Sequence, residues 1–364
     1  MKKPVVLFDH QTFTNQEFGG ISKYFFELIN ILNEKSLVDT NFSFKYHKNH
    51  YLKNFNLNQL NYVGNYNFKG KTRLLKYYNK NVSRWHINKS EYDIFHPTYY
   101  DNYYLKNIKK PSVITVYDMI HEKFPEYFKD SKKTIEEKKK AILNSSKIIA
   151  ISNSTKQDLL NIYNIPKNKV EVIHLATNFG KSLSREIYKN DKPFFLFVGS
   201  RSGYKNFNFM IKSISKYLVK DFELFCIGGG NFNQEENNLL KKLNVSSNVK
   251  WLSVGEHTLS TMYKSCEALI YPSLFEGFGI PIIEAFASEC IVISGSGGSL
   301  KEIGGDASIY FNYEDSKSLS EAVEKAIILK KSKNEFVKRA KIQLENFSWS
   351  KTAKKTFKIY ESLI

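Results

Sequence analysis

Short runs of consecutive apolar residues alternate along this chain with longer segments whose apolar positions recur every three or four residues. In the first half the short runs fall at 5–8, 42–46, 94–96, 113–117, 148–152 and 170–173. Runs of this length, rich in Val, Ile and Phe, predict strands buried on both faces. Segments 21–33, 71–85, 131–143 and 154–163 carry the helical spacing instead. The last opens Ser154-Thr155-Lys156-Gln157, where hydroxyl and amide can cap a helix start reciprocally. Strands alternating with helices predict parallel βαβ units.

The rhythm stops at 178–192, a stretch rich in Lys, Ser and Asn that reads as an interdomain linker. It then resumes. Strands are expected at 194–199, 224–227, 249–251, 268–271 and 291–294, and helices at 207–217, 234–243, 258–264, 281–287 and 318–329. The predicted fold class is α/β, with one domain over residues 1–178 and a second over 179–347. A chain of 364 residues is long enough for two cores. A ligand is expected in a cleft between the domains, beyond the carboxyl ends of the strands.

Hydrophobic residues make up 42% and charged residues 25%, which suits a packed core and argues against wholesale disorder. The formal net charge is +18, with 28 Lys and Arg against 16 Asp and Glu in residues 1–178 and 26 against 20 in the rest. The excess leans to the first half and suits phosphorylated ligands, anionic lipid or nucleic acid alike. Cys226, Cys266 and Cys290 form no close pair in sequence, so neither a metal site nor a disulfide framework is expected. The apolar run after Lys2-Lys3 is too short for a signal peptide or a spanning helix. The expected location is cytoplasmic.

Four clusters carry candidate chemistry. The densest is Tyr271-Pro-Ser-Leu-Phe-Glu276-Gly277-Phe278-Gly279-Ile280-Pro281-Ile-Ile-Glu284. Its glycines allow a tight turn and Pro281 marks a helix start. Backbone N–H groups around Gly279 and Ile280 then suit a phosphate at a positive helix end. Glu276 in the turn and Glu284 in the helix can each reach a ligand hydroxyl; the plainer alternative is a solvated glutamate among turn formers. The second cluster, Gly199-Ser-Arg201-Ser-Gly-Tyr-Lys205, places two cations in a loop after a strand, able to neutralise a departing diphosphate. The third is Gly19-Gly20, between the first strand and the first helix. The fourth is Tyr117-Asp118, where Asp118 either orients a hydroxyl or caps a turn. His96 and His121 stand alone and read as structural. A nicotinamide fingerprint is missing from the first turn.

Together these residues resemble the GT-B glycosyltransferases of family four, a retaining group, nearly end to end. The shared elements are Phe18-Gly19-Gly20-Ile21-Ser22, Tyr117-Asp118, Ile151-Ser152-Asn153-Ser154-Thr155-Lys156, the loop from Gly199, the paired glutamates and the closing Phe347-Ser348-Trp349. The resemblance implies that the second domain holds a nucleotide sugar. Arg201 and Lys205 would grip its diphosphate. Gly199, Gly277, Phe278, Gly279 and Ile280 would line it, Glu276 would bind the transferred sugar and Glu284 the ribose. Gly19 and Gly20 would close over the donor, and helix 348–364 would return to the first domain. Many relatives have His where Tyr117 stands, so the role of that position is open. The family mechanism retains configuration, and no Asp-x-Asp metal motif occurs, so no metal and no other cofactor is expected. The donor expected is a GDP-sugar, GDP-mannose foremost, with a UDP-sugar next. The acceptor expected is a glycan or a polyprenyl-linked glycan of surface polysaccharide or lipopolysaccharide assembly.

Segment 69–85 mixes basic and aromatic residues. Leu74, Leu75, Tyr78, Val82 and Trp85 can share one helix face, which would either lie on an anionic membrane or pack on its own sheet. Rival readings are a nucleotide-sugar epimerase on the same fold and a basic protein that binds nucleic acid or membrane. The first lacks an acid–base pair in the sequence. Nucleic acid is not expected as a partner, because no recognised binding module is present.

Overall fold

The computed structural model describes residues 3–54, 60–66, 68–180 and 186–364. The chain divides into two compact units. One is Met1–Leu175 with Trp349–Ile364, and the other is Ala176–Ser348. The boundary lies three residues before the position expected from sequence.

The first unit contains β1 (Val5–Phe8), β2 (Asp39–Phe42), β3 (Tyr46–His47), β4 (Asn61–Tyr62), β5 (Ile94–His96), β6 (Val113–Val116), β7 (Lys147–Ala150) and β8 (Val170–Val172). Parallel ladders run β2-β1-β5 and β6-β7-β8, and a single bridge between Phe95 and Ser112 joins them. β3 and β4 form a small separate parallel pair. The expected strand 42–46 is therefore split. Its ladder begins earlier, opposite Val5, and ends at Phe42. Beyond it the Asn79 side chain takes the N–H groups of Lys45 and Tyr46 in place of a strand partner. The helix Asn153–Tyr163 starts one residue before expectation, and its cap is Ser152, whose Oγ accepts from the Thr155 N–H at 3.0 Å. Ser154 does not cap. β7 ends at Ala150, which leaves Ser152 as the last extended residue before the turn.

The helix Trp349–Glu361 completes this unit rather than the second. Trp349 stacks near Tyr24, Thr352 donates to the His174 carbonyl, and the Tyr360 hydroxyl lies 2.7 Å from His96 Nδ1 in the core. The helix Lys71–Lys89 buries Leu75, Asn79, Ser83 and Ile87 at four-residue spacing. Leu74, Tyr78 and Trp85, expected on the same face as Leu75, are exposed.

The second unit holds β9 (Phe194–Val198), β10 (Glu223–Ile227), β11 (Val249–Leu252), β12 (Leu269–Tyr271), β13 (Val292–Ser294) and β14 (Ile309–Tyr310). They form one parallel sheet ordered β11-β10-β9-β12-β13-β14. The order reverses direction about β9, so the loops after β9 and β12 flank the switch point where such sheets bind ligands. Of the expected linker, residues 181–185 lie outside the described residues. Its remaining aromatics pack on this unit, Phe179 against Tyr263 and Tyr188 against Phe194 and Phe225. The helix Asn334–Leu344 and the strand β14 were not legible in the sequence pattern. All three cysteines are free and buried.

Candidate functional site

The loops after β9 and β12 meet at two side chains. Lys205 ends the turn Gly203–Lys205, just before Asn206 enters the left-handed region at φ 56° and the helix Phe207–Leu218 begins. Its Nζ lies 2.5 Å from Glu276 Oε1 and 3.3 Å from the Tyr271 hydroxyl. A backbone bond from Leu274 N–H to the Tyr204 carbonyl fixes one loop to the other. Both charged side chains are largely buried, at 12% and 9% exposure, so the pair sits in a medium where each charge needs the other. Burial, and then the Glu276 charge, push the Tyr271 phenol well above its ordinary value, so it keeps its proton.

Gly199 borders this pair. Its φ is 137°, and a Cβ placed there would find Lys205 Nζ as its nearest neighbour at 4.0 Å. The missing side chain leaves one side of the ammonium clear. Glu276 is held from behind by a loop absent from the sequence expectations. Gly298 forms a bridge with Glu276, and the N–H and hydroxyl of Ser299 both donate to the Glu276 carbonyl at 3.0 Å. The same hydroxyl lies 2.8 Å from the Phe278 carbonyl. The signal for this loop was Gly295-Ser-Gly297-Gly298-Ser299 directly after a strand.

The turn then runs through Gly277 and Phe278, whose ring packs edge-on against Phe347, to Gly279 at φ 101°. Gly279 starts the helix Ile280–Ala287, with Pro281 in its first turn. This is the expected positive helix terminus. Glu284 lies one turn in, buried, and accepts from the Tyr263 hydroxyl at 3.3 Å.

Arg201 differs from expectation. Its Nε donates to Glu236 Oε1 at 2.8 Å, Nη1 to the Gly228 carbonyl at 2.9 Å, and Nη2 to the carbonyls of Gly230 and Asn231 at 2.8 and 3.0 Å. The plane also lies over the Phe232 ring. Most of its donors are thus spent on pinning the loop after β10. That loop is a run of three glycines with φ of 91°, 72° and 74°. Glu236 in turn forms a capping box with Asn233, each side chain bonding the other's backbone. Arg201 positions backbone; the cation beside the open face is Lys205.

Gly19, Gly20 and Asp118 belong to the first unit. Gly19 caps the helix Gly20–Glu34 in extended backbone, and its missing Cβ makes room for the Gln16 side chain. Gln16 Oε1 accepts the Ser22 N–H at 3.1 Å and so covers part of that helix start. Gly20 is exposed. Asp118 Oδ1 accepts from the Ile120 N–H at 3.0 Å, the turn cap foreseen as its simpler role. Buried Lys138 lies 3.8 Å from the same oxygen and 2.8 Å from Glu122. The Tyr117 ring is buried beside Tyr24 and Tyr100. Burial raises its phenol well above the ordinary value, so it is no titrating substitute for histidine. Among the described residues, no group of three or more His, Cys, Asp or Glu is gathered to hold a metal, and no helix is long and apolar enough to cross a membrane.

The profile of "Glycosyl transferases group 1" matches residues 181–343, and that of "Glycosyltransferase Family 4" matches residues 18–179. The chain belongs to glycosyltransferase family four. The chain is 29% identical over 234 residues to an uncharacterized glycosyltransferase of Methanocaldococcus jannaschii, covering 60% of each chain. It is 28% identical over 188 residues to O-antigen chain mannosyltransferase RfbU of Salmonella typhimurium, covering 51% of this chain and 52% of that one. The matches therefore span about half to three-fifths of these relatives. The structure of Anabaena HepE in complex with UDP-glucose is similar at a TM-score of 0.75 and 13% identity, over 99% of this chain and 100% of that one. That likeness is one of fold, and the fold is GT-B.

Proposed function

We propose that this glycosyltransferase moves a hexose from a nucleoside diphosphate sugar to a glycan or polyprenyl-linked glycan acceptor in surface polysaccharide assembly. The observation that carries the reading is the Lys205–Glu276 contact beside Gly199 and the start of the helix Ile280–Ala287. An ammonium, a clear backbone face and a positive helix end suit a diphosphate, and the neighbouring carboxylate suits sugar hydroxyls. Lys205 then shifts part of its bonding from Glu276 to the phosphate, which releases Glu276 to hold the hexose. Backbone around Gly277, Phe278, Gly279 and Ile280 lines the donor, Glu284 takes the ribose, and Arg201 keeps the neighbouring loop in place. Gly19 and Gly20 cover the donor, and Asp118 orients a hydroxyl.

In the reaction the bond from C1 to the diphosphate oxygen breaks. A bond from the acceptor oxygen to C1 forms on the same face, with retention, and the acceptor proton passes to the departing phosphate. Such a step rests on stabilising leaving-group charge and on positioning, which Lys205 and the helix terminus supply without a metal ion. We favour GDP-mannose as donor, because an O-antigen mannosyltransferase is among the relatives. A UDP-sugar is the alternative, since a neighbour of the same fold was solved with UDP-glucose. The work is assigned to the cytoplasm, at the inner face of the plasma membrane.

The test is a thermal-shift screen of the whole chain against GDP, UDP, ADP and their sugars in EDTA. A ligand that binds only the folded state raises Tm. A shift with GDP or UDP that Lys205→Ala abolishes supports the reading. No shift with any nucleotide overturns it, and a shift that needs added divalent metal overturns its metal-free form.

A further inference from the structure

Tyr271 ends β12, an interior strand of the second unit's sheet, and is buried. Leu269 and Ile270 before it are apolar, as such a strand requires. A phenol there costs free energy unless its hydroxyl has a partner, and Phe would fill the same space without that cost. The partner is Lys205, whose Nζ lies 3.3 Å from the hydroxyl and 5.3 Å from the ring centroid. The ring edge reaches the other part of the site. Its Cε1 lies 3.7 Å from the point where a Cβ on Gly279 would stand, at the start of the helix Ile280–Ala287.

Donor and acceptor counts say what the hydroxyl can do. An ammonium has three hydrogens and no lone pair. Lys205 gives one hydrogen to Glu276 and one to the Tyr271 oxygen, and the third has no acceptor among the described residues. The phenol keeps its own proton, which cannot face the ammonium and so is left for Glu276, the charge that acts most strongly on it. The hydroxyl can therefore accept from Lys205 and donate to Glu276 at the same time. The proposed reaction needs that pair to part, with Lys205 turning to phosphate and Glu276 to the hexose. Two buried opposite charges in contact resist parting. A hydroxyl bonded to both gives each a partner as the direct contact lengthens.

We propose that Tyr271 is a positioning residue of the transfer reaction, its hydroxyl tethering Lys205 on one side and Glu276 on the other while the donor comes between them. This rests on the donor-site reading of the Lys205–Glu276 pair and adds to it a residue that touches neither phosphate nor sugar.

Tyr271→Phe in the whole chain tests it, because the change removes one oxygen and keeps the ring and its packing. The rate is read as release of free nucleotide from whichever GDP- or UDP-sugar raises Tm in the screen above, with water taking the acceptor's place. We expect kcat to fall by about tenfold, the worth of one hydrogen bond to a charged group. The Kd of the bare nucleoside diphosphate, which does not engage Glu276, should change by less than about twofold. Combined with Lys205→Ala, the same change should add little further loss, since the hydroxyl acts through Lys205. An unchanged kcat overturns the inference, for the hydroxyl then only fills its place in the sheet. A Kd weakened as much as kcat also overturns it, for the hydroxyl then holds the diphosphate itself. So does the full loss repeated in the Lys205→Ala chain, which would give Tyr271 a substrate contact of its own. If no nucleotide raises Tm, or Lys205→Ala keeps its rate, the donor reading falls and takes this inference with it. An inactive Lys205→Ala beside a fully active Tyr271→Phe sinks this inference alone.

Discussion

Glu276 and Lys205 stand 71 positions apart in the chain, yet their oxygen and nitrogen are 2.5 Å apart at the ends of two adjacent strands. Neither side chain has another opposite charge at ion-pair distance among the described residues. Lys205→Ala or Glu276→Gln is therefore expected to cut turnover by about 100-fold or more, the usual cost of one lost electrostatic stabiliser. Each single change also strands a partly buried charge and lowers Tm. The double variant Lys205→Met/Glu276→Gln should regain most of that Tm and none of the activity. Steady-state rates beside melting curves check this; recovery of activity in the double variant would make the pair structural.

Arg201 should behave in the opposite way. Arg201→Ala leaves Glu236 buried without its partner and frees the carbonyls of residues 228–231. The expected loss is about 3–5 kcal/mol of stability. Glu236→Ala should cost a similar amount, and the two changes together should cost much less than their sum. Urea unfolding of the four chains measures that coupling. Additive losses would return Arg201 to direct ligand contact.

Gly298→Ala tests the support behind Glu276. A Cβ there would fall 2.3 Å from the Glu276 carbonyl oxygen, at φ 63°. The Glu276 turn must shift to accommodate it. We expect activity to fall by about tenfold or more, since displacements near 1 Å are costly at a reacting centre. Nucleotide affinity and rate, measured separately, should show the loss falling mainly on rate.

Acid should loosen the first unit through its buried histidines. Burial holds His96 down to about 3 and His47 down to about 4. Above about pH 6.5 the rings are neutral folded or unfolded, and they contribute no pH dependence. Below it the unfolded chain takes up protons that the folded one refuses. Stability then falls by about 1.4 kcal/mol per pH unit for each ring, down to pH about 4 for His47 and about 3 for His96. Urea midpoints at pH 7, 6 and 5 check the slope, and His96→Phe should flatten it.

The alternation of strands and helices was legible because buried parallel strands need continuous apolar runs. The site's turn was legible too, since Gly279, Ile280 and Pro281 mark a helix start by local chemistry alone. What stayed hidden depends on distance along the chain. Arg201 looks like a free cation until Glu236 and the carbonyls of 228–231 are brought beside it. Ser152 and Ser154 are equivalent as caps in sequence, and only the end of β7 chooses between them. On the helix Lys71–Lys89, Asn79 and Ser83 face inward because they bond to backbone of neighbouring segments and to Thr14 and Ser43. An apolar count gives those positions to solvent.

The bond between Tyr360 and His96 joins residues 264 positions apart. A ribosome must pass Tyr360 before the first unit can close its core, whereas residues 176–348 form one uninterrupted stretch. During synthesis the second unit can therefore mature before the first, reversing the usual N-terminal-first order. Damage around Tyr360 would unsettle a unit whose other residues are made before the second unit begins.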